Sequence, residues 1–306
     1  MVDVAVPRPH SPSAPASPSS PRSRPDRCPG VLRPWPADDG ALVRVRLVGG
    51  RLPGSSLRAL GRVALAHGDG RLHLTGRANL QLRALPSVAT VDGPVLPPEV
   101  VDAIVATGLL PAPSHDLARN VVVSPQTGLA GGRADLRPVA ARLDALLCAD
   151  PTLAALPGRF LHVLDDGRGD VAGRGCDLGL VALDARTAQL RVGGAWGEVV
   201  ALAEAPARLV GMARAFLDAR GTGPGAAWHV DELSGPLAPP RPPDERALVR
   251  SAPPAYGAVS GGWHQEAVDG VLGAADVGAL LERAGGLDAD LVVTPWRGVL
   301  IPEVAR

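Results

Sequence analysis

Hydrophobic and polar residues alternate along two short segments, 71–75 and 79–85, separated by a Gly-Arg turn. Successive side chains of a strand point to opposite faces, so the two segments are predicted to form a hairpin with one apolar and one polar face. A preceding segment, 41–48, alternates in the same way and adds Arg44 and Arg46. The polar face of the hairpin is predicted to carry His73, Thr75, Asn79, Gln81 and Arg83.

Apolar residues at helical spacing predict an amphipathic helix over 54–67 and a second helix over 97–107. A similar order of elements returns near the C-terminus. A helix containing Val277, Leu280 and Leu281 precedes two strands joined by a tight turn at 294–296. Leu74-Thr75 aligns with Val293-Thr294 without a gap, which indicates an internal duplication of a βαββ unit. Two unrelated hairpins are the alternative.

The segment between these repeats has a different pattern. It is predicted to contain a loop over 114–131, a helix from Leu136 to Leu147, three strands within 157–194 and a helix over 204–219. The Pro-rich stretch at 235–247 is predicted to be an extended linker. The fold class is therefore predicted as α+β, with an α+β domain inserted between two duplicated βαββ half-domains.

The predicted division of the chain follows from these patterns. Its parts are a disordered leader (1–26), a first half-domain (27–109), a central domain (110–234), a linker (235–252) and a second half-domain (253–306).

The composition excludes several classes of partner and site. The formal net charge is zero, so no nucleic acid or anionic membrane partner is expected. No segment reaches the roughly 20 apolar residues of a membrane span, and a cytoplasmic location is predicted. Cys28, Cys148 and Cys176 are odd in number and far apart, which argues against a disulfide framework and against a self-contained metal site.

The polar face of the hairpin combines arginine and amide side chains with no acid, which suits a ligand that carries several carboxylates. An antiparallel sheet with one face in water is the alternative. All 31 basic residues are arginine, so the choice of arginine alone is weak evidence for bidentate binding.

Five motifs occur in an order that resembles the sulfite and nitrite reductase superfamily, whose ferredoxin-like halves flank a tetrapyrrole-binding domain. They are VRVRLVGG, GRLHLTGRANLQLRAL, ARNVVVSPQTG, LPGRFLHVLDDG and LVVTPWRGVL. The opening RPDRCPGVLRPWPADDGALVRVRLVGG resembles more specifically the precorrin-3B synthases, the oxygen-dependent family of aerobic cobalamin synthesis. The resemblance covers roughly residues 26–306.

The resemblance implies that basic residues of these motifs hold the carboxylates of a precorrin-type tetrapyrrole. Arginine suits this role because a planar guanidinium can bind a carboxylate through two parallel hydrogen bonds. Thr75, Asn79, Gln81 and Asn120 could add neutral hydrogen bonds or could instead cap turns and satisfy backbone groups. The arginines assigned to the site are Arg44, Arg46, Arg77, Arg119 and Arg159.

The implied reaction is O2-dependent hydroxylation of precorrin-3A at C-20 followed by lactone formation, with an unknown electron donor and no catalytic residue assigned. A [4Fe-4S] cluster and an iron centre are implied by the family, but the cysteine pairs expected after the second half-domain are absent from this chain. Leu161 replaces a second basic residue of the reductases, which disfavours the alternative of a sirohaem-dependent sulfite or nitrite reductase. A further alternative is a non-catalytic tetrapyrrole-binding protein.

Overall fold

The computed structural model describes residues 28–303, and the expected leader at 1–26 lies outside this part. The first section of the chain contains seven strands and two helices. The strands are β1 (Trp35–Ala37), β2 (Gly40–Val45), β3 (Arg51–Pro53), β4 (Leu72–Leu74), β5 (Leu80–Leu85), β6 (Val88–Thr90) and β7 (Gly93–Val95). The helices are α1 (Gly54–His67) and α2 (Pro98–Val105).

The central section contains five strands and two helices, which agrees with the predicted order apart from two additional strands. The strands are β8 (Val121–Val123), β9 (His162–Asp165), β10 (Leu178–Ala182), β11 (Thr187–Val192) and β12 (Ala195–Ala201). The helices are α3 (Arg137–Ala149) and α4 (Ala205–Ala219). The prediction of a loop over 114–131 is wrong in part, because this stretch contains β8 and a 3-10 helix at Pro113–Ala118.

The last section repeats the order of the first. Its strands are β13 (Gly257–Val259), β14 (Gly262–Glu266), β15 (Val271–Leu272), β16 (Asp290–Val293) and β17 (Gly298–Pro302), and its helix is α5 (Ala274–Ala284). Each half therefore reads strand, strand, short strand, helix, strand, strand. The repeated unit is longer than the predicted βαββ, because strands of two or three residues are too short to give a periodic signal.

The two halves exchange their short strands. The first sheet has the order β1-β2-β5-β4-β15, and the corresponding sheet of the second half has the order β13-β14-β17-β16-β3. Leu272 of β15 pairs with Leu72, and Leu291 pairs with Leu52 of β3. One hydrophobic core accordingly includes buried residues from both halves, so the halves form one packed unit.

A 3-10 turn at Val48–Gly50 makes the exchange possible. The predicted strand 41–48 ends at Val45, and Gly49 and Gly50 then adopt φ angles of 63° and 72°. The chain turns out of the first sheet at this point and enters the second as β3. The equivalent turn at Val268–Gly270 sends β15 into the first sheet.

The central sheet has the order β12-β11-β10-β9-β8, in which β8, β9 and β10 are parallel. Helices α3 and α4 cover one face and bury a core that includes Leu143, Leu164, Leu180 and Phe216. Other side chains of the central section form a smaller apolar cluster, which includes Val122, Leu161 and Val163. Trp296 of the second half packs against it.

The Pro-rich stretch contains one 3-10 helix, Glu245–Leu248, and otherwise contacts the central sheet through hydrogen bonds. Nε2 of Gln189 donates to the carbonyl of Pro242, and its Oε1 accepts from the amide of Asp244. No helix within residues 28–303 is long and apolar enough to cross a membrane.

Candidate carboxylate-binding site

Arg44, Gln81 and His73 lie side by side on one face of the first sheet. Arg44 pairs with Gln81 across β2 and β5, and Gln81 pairs with His73 across β5 and β4. Directly paired residues project to the same face, as predicted. Nε of Arg44 is buried and has no hydrogen-bond partner in the described structure. Burial lowers the pKa of Arg44, and the nearby charge of Arg77 lowers it further.

Arg77 lies in the turn between β4 and β5. Its Nη1 donates to the carbonyl oxygen of Arg159 at 3.1 Å. The Arg159 side chain is exposed, and its guanidinium carbon lies 5.4 Å from the ring centroid of Trp228. The turn of the first half and the entry to β9 therefore bring two of the predicted arginines together.

Arg174 is a further cation that the sequence analysis did not find. Its Nη1 donates to the carbonyl oxygen of Gly76 at 2.8 Å, and its Nη2 donates to that of Pro295 at 3.3 Å. Burial lowers the pKa of Arg174. We define the basic face as Arg44, Arg77, Arg159 and Arg174.

Arg46 follows β2 but is enclosed by protein groups. Its Nε donates to Oδ1 of Asn120 at 3.1 Å, and its Nη1 donates to Oδ1 of Asp116 at 3.3 Å. Nη2 is buried and has no hydrogen-bond partner in the part of the chain that the structure describes. Burial lowers the pKa of Arg46 to about 10, although Asp116 opposes this change. Arg46 thus belongs to an internal network, and its Nη2 is left for another acceptor.

Asn79 and Asn120 belong to the same network and are both buried. Oδ1 of Asn79 accepts from the amide of Leu47 at 2.9 Å, and Nδ2 of Asn120 donates to the carbonyl of Gly158 at 2.8 Å. Both side chains satisfy backbone groups, which is the alternative that the sequence left open.

Thr75 closes the hairpin turn. Its Oγ1 accepts from the amides of Asn79 at 3.1 Å and Arg77 at 3.3 Å. Thr294 accepts from the amide of Gly298 at 3.2 Å in the equivalent turn. The repeat of this arrangement supports the predicted alignment of Thr75 with Thr294.

Arg119 is paired away from the basic face. Its Nε and Nη2 donate to the two carboxylate oxygens of Asp144 at 2.7 and 2.8 Å. Asp144 therefore occupies the two guanidinium N–H donors that a ligand carboxylate would need for bidentate binding. Arg119 and Asp144 line a cavity of about 210 Å³, which Arg46 also lines. This volume is below the roughly 300–1,000 Å³ of drug-sized ligand pockets.

The expectation that the polar face lacks acids is wrong. Asp39 Oδ2 accepts from Nε of Arg83 at 3.0 Å, and Asp69 Oδ2 lies 2.7 Å from Nε2 of His73. These acids come from turns that flank the strands, where the alternation within a strand gives no information. Arg44 and Gln81 remain the polar pair at the centre of the face.

Leu161 is buried where the resemblance places a second base in the reductases. It belongs to the apolar cluster against which Trp296 packs. Its backbone N–H donates to Oδ2 of Asp177 at 2.8 Å. The position therefore contributes apolar surface and a backbone donor, and no cationic side chain.

The described cysteines do not fit an iron-sulfur cluster. No group of three or more His, Cys, Asp or Glu side chains within residues 28–303 could hold a metal ion. Cys176 is buried, and burial raises its pKa to about 11. The arginines present a different chemistry, because Nε of Arg44 and Nη2 of Arg46 are buried donors with no hydrogen-bond partner among residues 28–303, which suits an anionic acceptor.

Residues 36–89, from β1 to β6, match the nitrite/sulfite reductase ferredoxin-like half domain family. Over 86% of its length the chain is also similar in structure to the NirA protein of Mycobacterium tuberculosis, with a TM-score of 0.63 and 18% sequence identity. This likeness confirms the predicted α+β fold with ferredoxin-like halves.

A precorrin-3B synthase from a Sinorhizobium species is 34% identical over 141 residues. The matched region covers 46% of this chain and 28% of that protein, and the match to NirA covers 54% of that chain. The chain therefore spans about half or less of the relatives that it matches. The predicted resemblance to the nitrite and sulfite reductase superfamily and to precorrin-3B synthase is confirmed.

Proposed function

We propose that this chain is a precorrin-3B synthase-like oxidoreductase that binds a precorrin-type tetrapyrrole by its carboxylates at the basic face. The observation that carries the proposal is the buried Nε of Arg44, which has no hydrogen-bond partner within residues 28–303. Arg44 pairs with Gln81 across β2 and β5. The sequence similarity to a precorrin-3B synthase supports the choice of tetrapyrrole.

A bound carboxylate would complete the hydrogen bonding of Arg44. A buried donor without an acceptor costs about 1–3 kcal/mol, and more when the group is charged. Burial is the main cause of the lowered pKa of Arg44, and the charge of Arg77 adds to it. An anion placed between these two cations would relieve their repulsion. The face is thereby arranged to receive negative charge.

The reaction proposed from the resemblance is hydroxylation of precorrin-3A at C-20 followed by closure of a lactone by the ring A acetate. One oxygen atom of O2 enters the macrocycle, and the other leaves as water with two electrons from a donor and two protons. In this reaction the arginines bind and orient the rim of the substrate. No residue of the basic face is assigned to the oxygen chemistry.

Binding is tested by titrating uroporphyrin, a tetrapyrrole polycarboxylate, against the protein by tryptophan fluorescence. We expect Arg44→Met and Arg77→Met each to weaken binding by about tenfold or more, since a hydrogen bond to a charged group contributes about 1.5–3 kcal/mol. Arg83→Met is the matched control, because Arg83 lies on β5 and is already paired with Asp39. Equal affinity of Arg44→Met, Arg77→Met and wild type would refute the site.

Turnover is tested separately with precorrin-3A, O2 and a reductant, with the hydroxylated lactone detected by mass spectrometry. Product formation supports the synthase-like activity. Tight binding without product favours the non-catalytic alternative. Reduction of sulfite or nitrite after loading with sirohaem would favour a reductase. That outcome would contradict the interpretation of Leu161, which stands where the reductases have a second basic residue.

A further inference from the structure

The hairpin turns of the two halves correspond residue by residue. The amides of Ala78 and Arg297 each donate to the carbonyl oxygen three positions earlier, at 3.0 and 3.2 Å. Both residues have a left-handed backbone, with φ angles of 57° and 62°. The residues immediately before them, Arg77 and Trp296, therefore occupy the same position in the two turns. The first half presents a guanidinium at this position, and the second half presents an indole.

One guanidinium of the basic face binds both turns. Nη1 of Arg174 donates to the carbonyl oxygen of Gly76 at 2.8 Å, directly before Arg77 in the chain. Nη2 of Arg174 donates to the carbonyl oxygen of Pro295 at 3.3 Å, directly before Trp296. The backbone of Trp296 therefore lies next to the basic face, as the backbone of Arg77 does.

Trp296 packs on apolar surface that adjoins the basic face. It is half-buried and packs against the cluster that includes Leu161 and Val163. The same cluster lies close to Arg77, because Nη1 of Arg77 donates to the carbonyl oxygen of Arg159, two residues before Leu161. Apolar and cationic surfaces are thus adjacent at the entry to β9.

The second half does not repeat the cations of the first. The gap-free alignment of the turns matches Gln81 with Leu300, and these residues pair with Arg44 and His264 in their own sheets. His264 is fully buried, and its Nδ1 lies 3.2 Å from the carbonyl oxygen of Pro254. The first half therefore offers polar donors, whereas the second half offers apolar side chains and a histidine that its own chain already binds.

We propose that Trp296 is a specificity-determining residue of the site, which contacts the apolar ring system of a tetrapyrrole while the basic face binds the carboxylates on its rim. This inference rests on the proposed function, because it requires that ligand at the basic face. Guanidinium groups bind the carboxylates of many small molecules. An indole packs favourably on another π system, so Trp296 distinguishes a macrocycle from a polycarboxylate that has no ring system.

The alternative is that Trp296 only fills the contact between the second half and the central section. Oη of Tyr256 donates to the carbonyl oxygen of Trp296 at 2.6 Å, so the backbone of the turn is bound independently of the indole. A change of the side chain is therefore expected to leave the turn in place. An indole with a structural role alone would affect stability and would not contact the ligand.

The first experiment follows the indole N–H signals of the five tryptophans by 15N NMR while uroporphyrin is added to the full chain. Trp296→Phe and Trp263→Phe assign two of these signals. We expect the ring current of bound uroporphyrin to shift the Trp296 signal strongly. Trp263 is the control and should not shift, because it lies on β14 with its ring centroid 4.3 Å from the guanidinium carbon of Arg283 on α5. A Trp296 signal that stays in place while uroporphyrin binds would overturn the inference and leave the proposed function intact.

The second experiment measures the dissociation constant of uroporphyrin by calorimetry. We expect Trp296→Leu to bind about threefold to tenfold more weakly than wild type, the range for the loss of one aromatic pair. Trp296→Phe should regain most of that affinity, since it restores an aromatic ring, and Trp263→Leu should equal wild type. Equal affinity of Trp296→Leu and wild type would overturn the inference, as would an equal loss in Trp296→Leu and Trp296→Phe.

Arg77→Met separates the inference from the function on which it rests. Weaker binding by Arg77→Met together with unchanged binding by Trp296→Leu would support the basic face and remove Trp296 from the site. Failure of uroporphyrin to bind wild type would refute both. Circular dichroism checks the folding of each variant, and if Trp296→Leu does not fold, the shift of the Trp296 signal in wild type decides.

Discussion

Arg46 and Asp116 form an ion pair inside the protein, with 3.3 Å between Nη1 and Oδ1 and side chains that are 0% and 5% exposed. Asp116 also accepts from the amide of Val31 at 2.7 Å. Burial lowers the pKa of Arg46 and raises the pKa of Asp116. Each charge therefore depends on the other, and the pair ties the start of the described chain to the first sheet.

We predict that Asp116→Ala lowers the free energy of unfolding by about 3–5 kcal/mol, because it leaves a buried guanidinium without its counter-charge. Urea unfolding monitored by circular dichroism measures the change. The exposed pair of Arg51 and Asp290, 2.7 Å apart, is the control. Asp290→Ala should cost less than about 1 kcal/mol. Equal effects of the two substitutions would contradict this account of the buried pair.

His162 gives a second prediction, which concerns pH. Its ring is 0% exposed, and neither nitrogen has a hydrogen-bond partner in the described structure. Burial lowers the pKa of His162 to about 4 from the usual 6.5. The unfolded chain binds the proton more readily, so this residue reduces stability as the pH falls from about 6.5 towards 4.

We predict that His162→Leu is at least as stable as wild type at neutral pH, since it removes two unsatisfied polar atoms from the core. Between about pH 7 and pH 5, wild type should lose about 2 kcal/mol relative to the variant. Urea midpoints at both pH values test the difference. Asp170 and Asp177, whose pKa values burial raises to about 6, titrate in both proteins and cancel in the comparison. Parallel pH profiles would show that His162 does not titrate as the structure indicates.

The hairpin at 71–85 and the helix at 54–67 were predicted from the sequence because their signals are local. A period of two or 3.6 residues is visible within one segment. The exchange of β3 was not predictable in this way, because β3 has three residues and Arg51 contacts Asp290, 239 positions later. A pairing over that separation leaves no periodic pattern.

The residues of the candidate site also differ in whether a local sequence pattern predicts them. The polar face with Arg44 and Gln81 was predictable from alternation, and the alignment of Thr75 with Thr294 indicated a repeated turn. Arg174 and Asp177 were missed because they lie in a Gly-rich connection without periodicity. The pairing of Arg46 with Asp116 was also missed, since the acid lies 70 residues away in a 3-10 helix.

A substitution at Gly50 tests whether the tight turn before β3 is required for β3 to pair in the sheet of the second half. Its φ is 72°, and a Cβ atom at this position would overlap the carbonyl oxygen of Val293. We predict that Gly50→Ala destabilises the protein by about 2–4 kcal/mol, from backbone strain and from the displaced strand. Thermal or urea unfolding measures the loss.

Gly76→Ala is the matched control for Gly50→Ala. A Cβ atom on Gly76 would have no neighbour within 4 Å, and its φ is outside the left-handed region. We expect this variant to differ from wild type by less than about 0.5 kcal/mol. If Gly50→Ala is equally mild, the close approach of the turn to β16 is not required for the exchange.

Arg174 gives the last prediction, because one guanidinium binds the equivalent turns of both halves. Arg174→Met keeps much of the apolar stem but loses the hydrogen bonds to the carbonyls of Gly76 and Pro295. Within each turn, the amide of Ala78 donates to Thr75 and the amide of Arg297 donates to Thr294. We therefore predict faster hydrogen exchange at Ala78 and Arg297 together, by about fivefold or more, since a charged hydrogen bond contributes more than 1 kcal/mol. Faster exchange at only one turn would mean that Arg174 does not couple the two halves.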